Sequence, residues 1–189
     1  AKERSDYPAE VMYNSDMPQP QINFTEGLLI DYRHFDANAI EPRFEFGFGL
    51  SYTQFQYAAL DVEFVGDDGH NWNHKWGHRI APDGLPAWLF ETAVRVSFTV
   101  RNTGDRDGHE VPQVYLRFPQ DSGEPPKVLR AFERVWVPRG ETVRVNHTLN
   151  YYDLSVWSIA HQQWRRPSGS YEILVGASSR DIRLRQPLL

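Results

Sequence analysis

The sequence predicts a mainly β protein, an antiparallel β-sandwich preceded by an extended N-terminal arm. Beyond residue 55, apolar and polar residues alternate in segment after segment, as in strands with one buried and one solvent-facing side. Clusters of turn-forming residues separate these segments. No long helical pattern interrupts them, which argues against the βαβ units of a parallel sheet.

Five segments show the strand pattern most clearly. Their apolar positions are Val94, Val96, Phe98 and Val100; Val114, Leu116 and Phe118; Val143, Val145 and Leu149; Tyr171, Ile173 and Val175; and Ile182 and Leu184. Turn sequences lie at 102–105, 138–140, 167–169 and 177–179. Six or seven strands at this spacing predict a sandwich of immunoglobulin or fibronectin type over residues 55–189. A Trp- and His-rich connection at 66–90 interrupts the rhythm between the first two strands.

Residues 1–54 have a different character. Prolines punctuate this part, an aromatic, glycine-rich run (FEFGFGLSYT, 44–53) follows them, and one short helix is predicted around Glu26–Tyr32. The segment has too little periodic apolar surface to fold alone, so we expect an arm. The chain begins AKERSDYPAE, without Met and without the pattern of a signal peptide. We therefore expect it to start inside a longer polypeptide.

The composition excludes several classes of function. Hydrophobic residues make up 40% and charged residues 24% of the chain, a balance that allows a packed core. There is no cysteine, which rules out disulfides, thiol catalysis and Cys-based metal sites. The net charge is −5 with no basic run, which argues against nucleic acid as a partner. No apolar stretch is long enough to span a membrane, and no cofactor or metal is expected.

Several motifs resemble one enzyme family. They are Glu26-Gly27, YRHFD at 32–36, FGFGLSYT at 46–53, VRNTGDRDGHEVPQVYL at 100–116 and LRAFERV at 129–135. The run from 24 to 57 resembles the end of the α/β-sandwich domain and the following linker of fungal glycoside hydrolase family 3 β-glucosidases. The later motifs resemble the fibronectin type III-like domain at the C-terminus of those enzymes. Only the insertion at 66–90 falls outside the resemblance.

The resemblance implies a noncatalytic fragment of a secreted enzyme that hydrolyses terminal β-glucosyl residues with retention. Such an enzyme uses two carboxylates about 5–5.5 Å apart, one as nucleophile and one as acid/base. Both are expected upstream of Ala1, so no catalytic residue is assigned here. The expected role is to stabilise the catalytic domains of the same parent enzyme, with residues 24–57 as the strap. The isolated chain would then expose apolar surface and tend to self-associate.

Trp72, Trp76 and Trp88 are candidates for a sugar-stacking platform, because indole rings pack on the apolar faces of pyranoses. This gives the alternative function of an accessory module that binds polysaccharide or lignin-like surfaces. The competing interpretation, which the sequence favours, is that these rings fasten the long connection to the sandwich or to the missing domains. A third interpretation, an adhesion-type receptor domain, is disfavoured by the match of the arm to a glycosidase junction.

The remaining polar candidates are weaker. His70, His74 and His78 are spaced four apart but in a glycine- and asparagine-rich context that disfavours a helix, so we expect a solvated loop and not a metal site. Asp105 and Asp107 are expected in a polar turn, because the surrounding positions lack the carboxylates of a calcium loop. Glu26, Asp31 and Asp36 are interpreted as capping and salt-bridging groups at a domain junction, with Arg33 as their partner.

Two sequons, Asn23-Phe24-Thr25 and Asn146-His147-Thr148, are predicted N-glycosylation sites. Asn146 falls on the solvent-facing side of its predicted strand.

Overall fold

The computed structural model describes residues 25–65 and 85–188. Within these two ranges strands dominate, with one α-helix, α1 (Tyr32–Ala37), and short 3-10 turns. The strands are β1 (Phe55–Phe64), β2 (Thr92–Asn102), β3 (Gly108–Glu110), β4 (Gln113–Arg117), β5 (Val128–Phe132), β6 (Val135–Val137), β7 (Thr142–Asn150), β8 (Val156–Ser158), β9 (Gln163–Arg165), β10 (Tyr171–Gly176) and β11 (Ile182–Leu188).

Seven of these strands form two antiparallel sheets. One sheet has the order β1-β2-β7 and the other has the order β11-β10-β4-β5. Two short two-stranded sheets, β3 with β6 and the hairpin of β8 with β9, complete the sandwich. The predicted antiparallel β-sandwich is therefore confirmed, and each of the five segments with clear alternation contributes a strand.

The core lies between the two sheets. The apolar side of β2 faces it completely: Val94, Val96, Phe98 and Val100 are all buried. Side chains of β4 and β10, including Leu116 and Ile173, meet them from the other sheet and are equally buried. Burying a side chain of this size contributes about 1.5–3 kcal/mol, so this apolar layer accounts for the stability of the sandwich.

β4 differs from the simple alternation that the sequence suggests. Gln113 and Tyr115, on the side predicted to be polar, are as buried as Val114 and Leu116 on the other. The reason is that the preceding arm covers the outer face of this sheet, where Tyr32, Tyr115 and Leu174 form a second apolar cluster. Both faces of β4 are thus inside the molecule, one in the core and one beneath the arm.

The short helix of the arm lies later than predicted. It begins at Tyr32, where the sequence predicted its end, and residues 25–28 form a turn. Gly27 and Asp31 both have positive φ, 56° and 55°, a conformation incompatible with a continuing right-handed helix. These two positions separate the turn from α1.

Candidate docking surface

Residues 25–54 are the described part of the predicted strap that precedes β1, and the name strap refers to them from here on. They are fastened along the outer face of β10, β4 and β5. Tyr32 is the first anchor of the strap. Its ring stacks on Phe46 at 4.7 Å and meets the edge of Tyr115 at 6.0 Å. Its hydroxyl oxygen accepts a hydrogen bond of 2.8 Å from the backbone N–H of Leu129. α1 is therefore held on β5 by a polar contact and on β4 by an aromatic one.

Asp36 is the second anchor and forms ion pairs between the strap and the sandwich. Its carboxylate pairs with Lys127, and its other oxygen lies 3.0 Å from Nε of Arg180. Arg180 also contacts Glu41 and donates to the carbonyl of Ile40 at 2.8 Å. The Asp36 side chain is only 8% exposed, so this pairing is made largely out of water, where removing one partner is costly.

Among the acidic groups near α1, Asp36 has partners other than the one predicted. It pairs with Lys127 and Arg180, whereas Arg33, among the described residues, donates to the carbonyl of Leu28 at 3.5 Å. Asp31 precedes the helix but makes no side-chain capping bond. The expectation of Arg33 as the common partner is wrong, because sandwich residues distant in sequence supply the cations. The interpretation of Asp36 as a structural, salt-bridging group agrees with these contacts.

A buried amide holds the middle of the strap. Nε2 of Gln113 donates to the carbonyls of Gly47 (3.1 Å) and Ala177 (2.8 Å), and its Oε1 accepts from the hydroxyl of Tyr115 at 2.5 Å. Gly47 has φ 79°, and a Cβ there would lie 2.2 Å from Oε1 of Gln113. Only glycine can make this approach. Burial, with Tyr32 and Asp36 nearby, raises the pKa of the Tyr115 hydroxyl, which therefore stays a proton donor.

Asn102 fixes the end of the strap. This fully buried residue at the end of β2 donates from Nδ2 to the carbonyls of Arg106 (2.7 Å) and Val137 (2.9 Å). Its Oδ1 accepts from the hydroxyl of Thr53 at 2.6 Å and from the N–H of Gly104 at 3.1 Å. All the hydrogen-bonding capacity of one side chain thus joins the strap, the loop between β2 and β3, and β6.

The fastened strap leaves an apolar surface facing solvent. We call this the docking surface; its members are Phe44, Phe48, Leu50, Tyr52 and Phe132. Leu50 is 91% and Tyr52 is 93% exposed. Beside them lies an open cleft of about 720 Å³ whose walls include Val111, His109 and Arg183. Phe48, Leu50 and Phe132 line this cleft, and a group of apolar side chains left uncovered marks an interaction surface.

The three tryptophans of the predicted stacking platform are not all described. Trp72 and Trp76 lie outside the described residues. Trp88 sits in a short 3-10 turn, Ala87–Phe90, and is half-buried. Its ring packs against the core and meets the edge of Tyr151 at 6.0 Å. This contact agrees with the alternative interpretation, in which the ring fastens the connection, and the platform itself stays a prediction.

Some of the other predicted sites lie outside the described residues, and some lie within them. Asn23 and the histidines at 70, 74 and 78 lie outside the described residues. Asn146 is exposed on β7, and its glycosylation stays a prediction. Asp107 accepts from the backbone N–H of Arg139 at 2.7 Å, as expected of a turn residue. Within 25–65 and 85–188, no group of three His, Asp or Glu side chains could hold a metal ion, and no helix is long and apolar enough to cross a membrane.

Comparisons with known proteins agree with this architecture. Residues 110–179 match the family described as fibronectin type III-like domain. The probable β-glucosidase D of Emericella nidulans is 42% identical over 183 residues, which are 97% of this chain and 21% of that protein. The chain therefore spans about a fifth of the length of this relative.

Solved structures give the same result. β-Glucosidase D2-BGL of Chaetomella raphigera matches all of this chain and 25% of its own, with 41% identity and a TM-score of 0.84. The glycoside hydrolase family 3 β-glucosidase of Neurospora crassa matches 98% of this chain and 31% of its own, with 27% identity and a TM-score of 0.81. The resemblance seen in the sequence is confirmed: residues 110–179 match a fibronectin type III-like domain, and the chain as a whole matches a C-terminal part of fungal family 3 β-glucosidases.

Proposed function

We propose that this chain is the noncatalytic, C-terminal fibronectin type III-like part of a secreted family 3 β-glucosidase and that it stabilises the catalytic domains. The observation that carries the proposal is the docking surface. The strap is fastened by Asp36, Gln113 and Asn102, yet it turns Phe48, Leu50 and Tyr52 to solvent. Because the strap makes many contacts with its own sandwich, little conformational entropy would be lost when its exposed side chains bind a partner.

The partner we propose is the rest of the same parent chain. The relatives are single chains of which this one covers about a fifth to a quarter, so the missing part would be covalently attached at high effective concentration. Each large apolar side chain that becomes fully covered would contribute about 1.5–3 kcal/mol. Three or four such residues would suffice to hold the two parts together.

The parent reaction, retaining hydrolysis of terminal β-glucosyl residues in cellulose-derived or other oligosaccharides, also belongs to this proposal. Its nucleophile and acid/base would lie in the catalytic domains, and this chain would hydrolyse nothing alone. Secretion is proposed from the resemblance, with Asn146 as an exposed carbohydrate acceptor. A glycopeptide that contains Asn146 in the mass spectrum of the natural protein is the corresponding check.

Sedimentation velocity tests the docking surface directly. We expect the isolated chain to self-associate with rising concentration, because the docking surface is uncovered. Addition of the separately produced remainder of the parent is expected to replace this self-association by a one-to-one complex. The double variant Leu50→Asp/Tyr52→Asp should do neither, because charges at the interface cannot be desolvated without partners.

Ile159→Asp is the matched control for this experiment, since Ile159 is 79% exposed but lies outside the strap. It is expected to behave like the unaltered chain. The proposal would be contradicted if the chain stayed a monomer at every concentration and did not bind the remainder of the parent. Equal effects of Leu50→Asp/Tyr52→Asp and of Ile159→Asp would also contradict it.

A further inference from the structure

A second group of exposed aromatic side chains has no part in the docking surface. Phe90, Tyr152, Trp164 and Trp157, here called the aromatic strip, follow one another across the surface. Their ring centroids are separated by 6.2, 4.8 and 5.6 Å in that order. Phe90, Tyr152 and Trp157 are exposed, and Trp164 is half-buried between its neighbours.

The hairpin of β8 and β9 presents two of these rings outward. Trp157 and Trp164 are directly paired across it, so their side chains share one face. The neighbours of Trp157 in β8, Val156 and Ser158, are buried on the opposite face. The inward face therefore already anchors the hairpin, and Trp157 remains 46% exposed. A half-exposed indole in this position contributes little to the stability of the fold.

The strip lies at the opposite end of the sandwich from the docking surface. The strap is joined to the end of β2 at Asn102 and to the end of β10 through Ala177. Phe90 precedes the start of β2, and Tyr152 follows the end of β7, which pairs with that start. Tyr171, at the start of β10, donates to the carbonyl of Leu154 close by. A partner bound to the docking surface would therefore leave the strip free.

The chemistry of the strip differs from that of an interface between proteins. The docking surface combines aromatic rings with the aliphatic side chain of Leu50 and borders a cleft lined by Val111, whereas the strip itself consists of rings only. The turn of its hairpin adds exposed hydrogen-bonding groups at His161 and Gln162. Aromatic faces beside amide and imidazole groups suit a ligand that has both apolar C–H faces and hydroxyl edges. A chain of pyranose rings has both.

The ring planes decide which carbohydrate would fit. Adjacent planes differ by 22°, 58° and 68° along the strip, so the rings cannot all lie against one flat crystalline face. Successive rings can instead contact successive sugar units of a single, twisted chain. We propose that the aromatic strip is a binding site for a single chain of β-linked glucose units. The choice of glucose rests on the proposed function, whereas the site does not.

Titration of the ¹⁵N-labelled 189-residue chain with cellotetraose tests this, with the indole N–H signals as the readout. We expect saturable shifts of the Trp157 and Trp164 signals and none of the Trp136 signal. Trp157→Ala should weaken binding about tenfold, the loss of one favourable stacking contact. Trp157→Phe should retain most of the affinity because it keeps an aromatic face.

Trp136→Ala is the matched control, because Trp136 is 50% exposed but lies on β6, outside the strip. It should bind as the unaltered chain does, and an unchanged thermal unfolding curve would show that each variant is folded. The absence of saturable shifts, equal losses in Trp136→Ala and Trp157→Ala, or saturable binding of a lignin-model phenol without any response to cellotetraose would each overturn the proposal. None of these outcomes depends on docking to the parent, so the two proposals fail separately.

Discussion

Replacement of Asn102 by Asp is expected to lower the free energy of unfolding by about 3–5 kcal/mol. The two side chains have nearly the same shape, but Asp cannot donate from the position of Nδ2. The carbonyls of Arg106 and Val137 would then face a carboxylate oxygen inside the protein. Each lost hydrogen bond accounts for about 1 kcal/mol, and each buried group left unsatisfied costs about 1–3 kcal/mol.

Guanidinium-induced unfolding of unglycosylated protein measures this effect. Asn146→Asp is the control, since it is the same change at an exposed position of β7 and should stay within about 0.5 kcal/mol of the unaltered chain. A loss below about 1 kcal/mol for Asn102→Asp would show that Nδ2 of Asn102 does not hold the carbonyls of Arg106 and Val137 as described.

Replacement of Asp36 by Ala is expected to release the strap without unfolding the sandwich. The substitution leaves Lys127, whose side chain is only 12% exposed, without its counter-charge. Breaking such a pair costs about 3 kcal/mol, whereas Arg180 keeps Glu41 and the carbonyl of Ile40. Local opening of α1 should therefore become about 100-fold more frequent.

Hydrogen exchange measures this opening at the amides of Phe35 in α1 and of Asn38, which follows the helix and donates to His34, with the amides of β2 as the internal reference. Lys127→Met in the Asp36→Ala background should restore much of the protection, because it removes the uncompensated charge. Glu63→Ala, which breaks an exposed pair with Arg95, should change little. Unchanged exchange in α1, or an equal rise in β2, would show that Asp36 does not fasten the strap.

The sequence predicted the structure best for strands that have one buried and one solvent-facing side. In β2 the alternation of Val94, Val96 and Phe98 with polar residues follows from a single buried side, so strand and core could both be predicted. In β4 the same reasoning predicted a solvent-facing side at Tyr115. That side is covered by Tyr32, 83 positions earlier in the sequence. Local periodicity cannot predict a contact between residues so far apart in the sequence.

The anchors of the strap were partly predictable. The glycine-rich run at 44–53 drew attention to the segment, but the acceptor role of the Gly47 carbonyl toward Gln113 depends on tertiary contact. Asp36 was identified as structural, yet its partners could not be found because Lys127 and Arg180 are far along the chain. The aromatic strip was missed altogether. Its one sequence signal is the position of Trp157 and Trp164 on two short, turn-linked segments, which become neighbours only in one hairpin register.

The docking surface is tested most directly by thermal unfolding of the intact parent enzyme beside the isolated chain. Leu50→Asp/Tyr52→Asp should leave the isolated chain within about 0.5 kcal/mol of its original stability, because both residues are exposed there. In the intact parent the same double variant should lower Tm by several degrees, since each side chain would lose about 1.5–3 kcal/mol of burial. Ile159→Asp should change neither. An intact parent that tolerates Leu50→Asp/Tyr52→Asp as well as Ile159→Asp would contradict the claim that this surface docks on the catalytic domains.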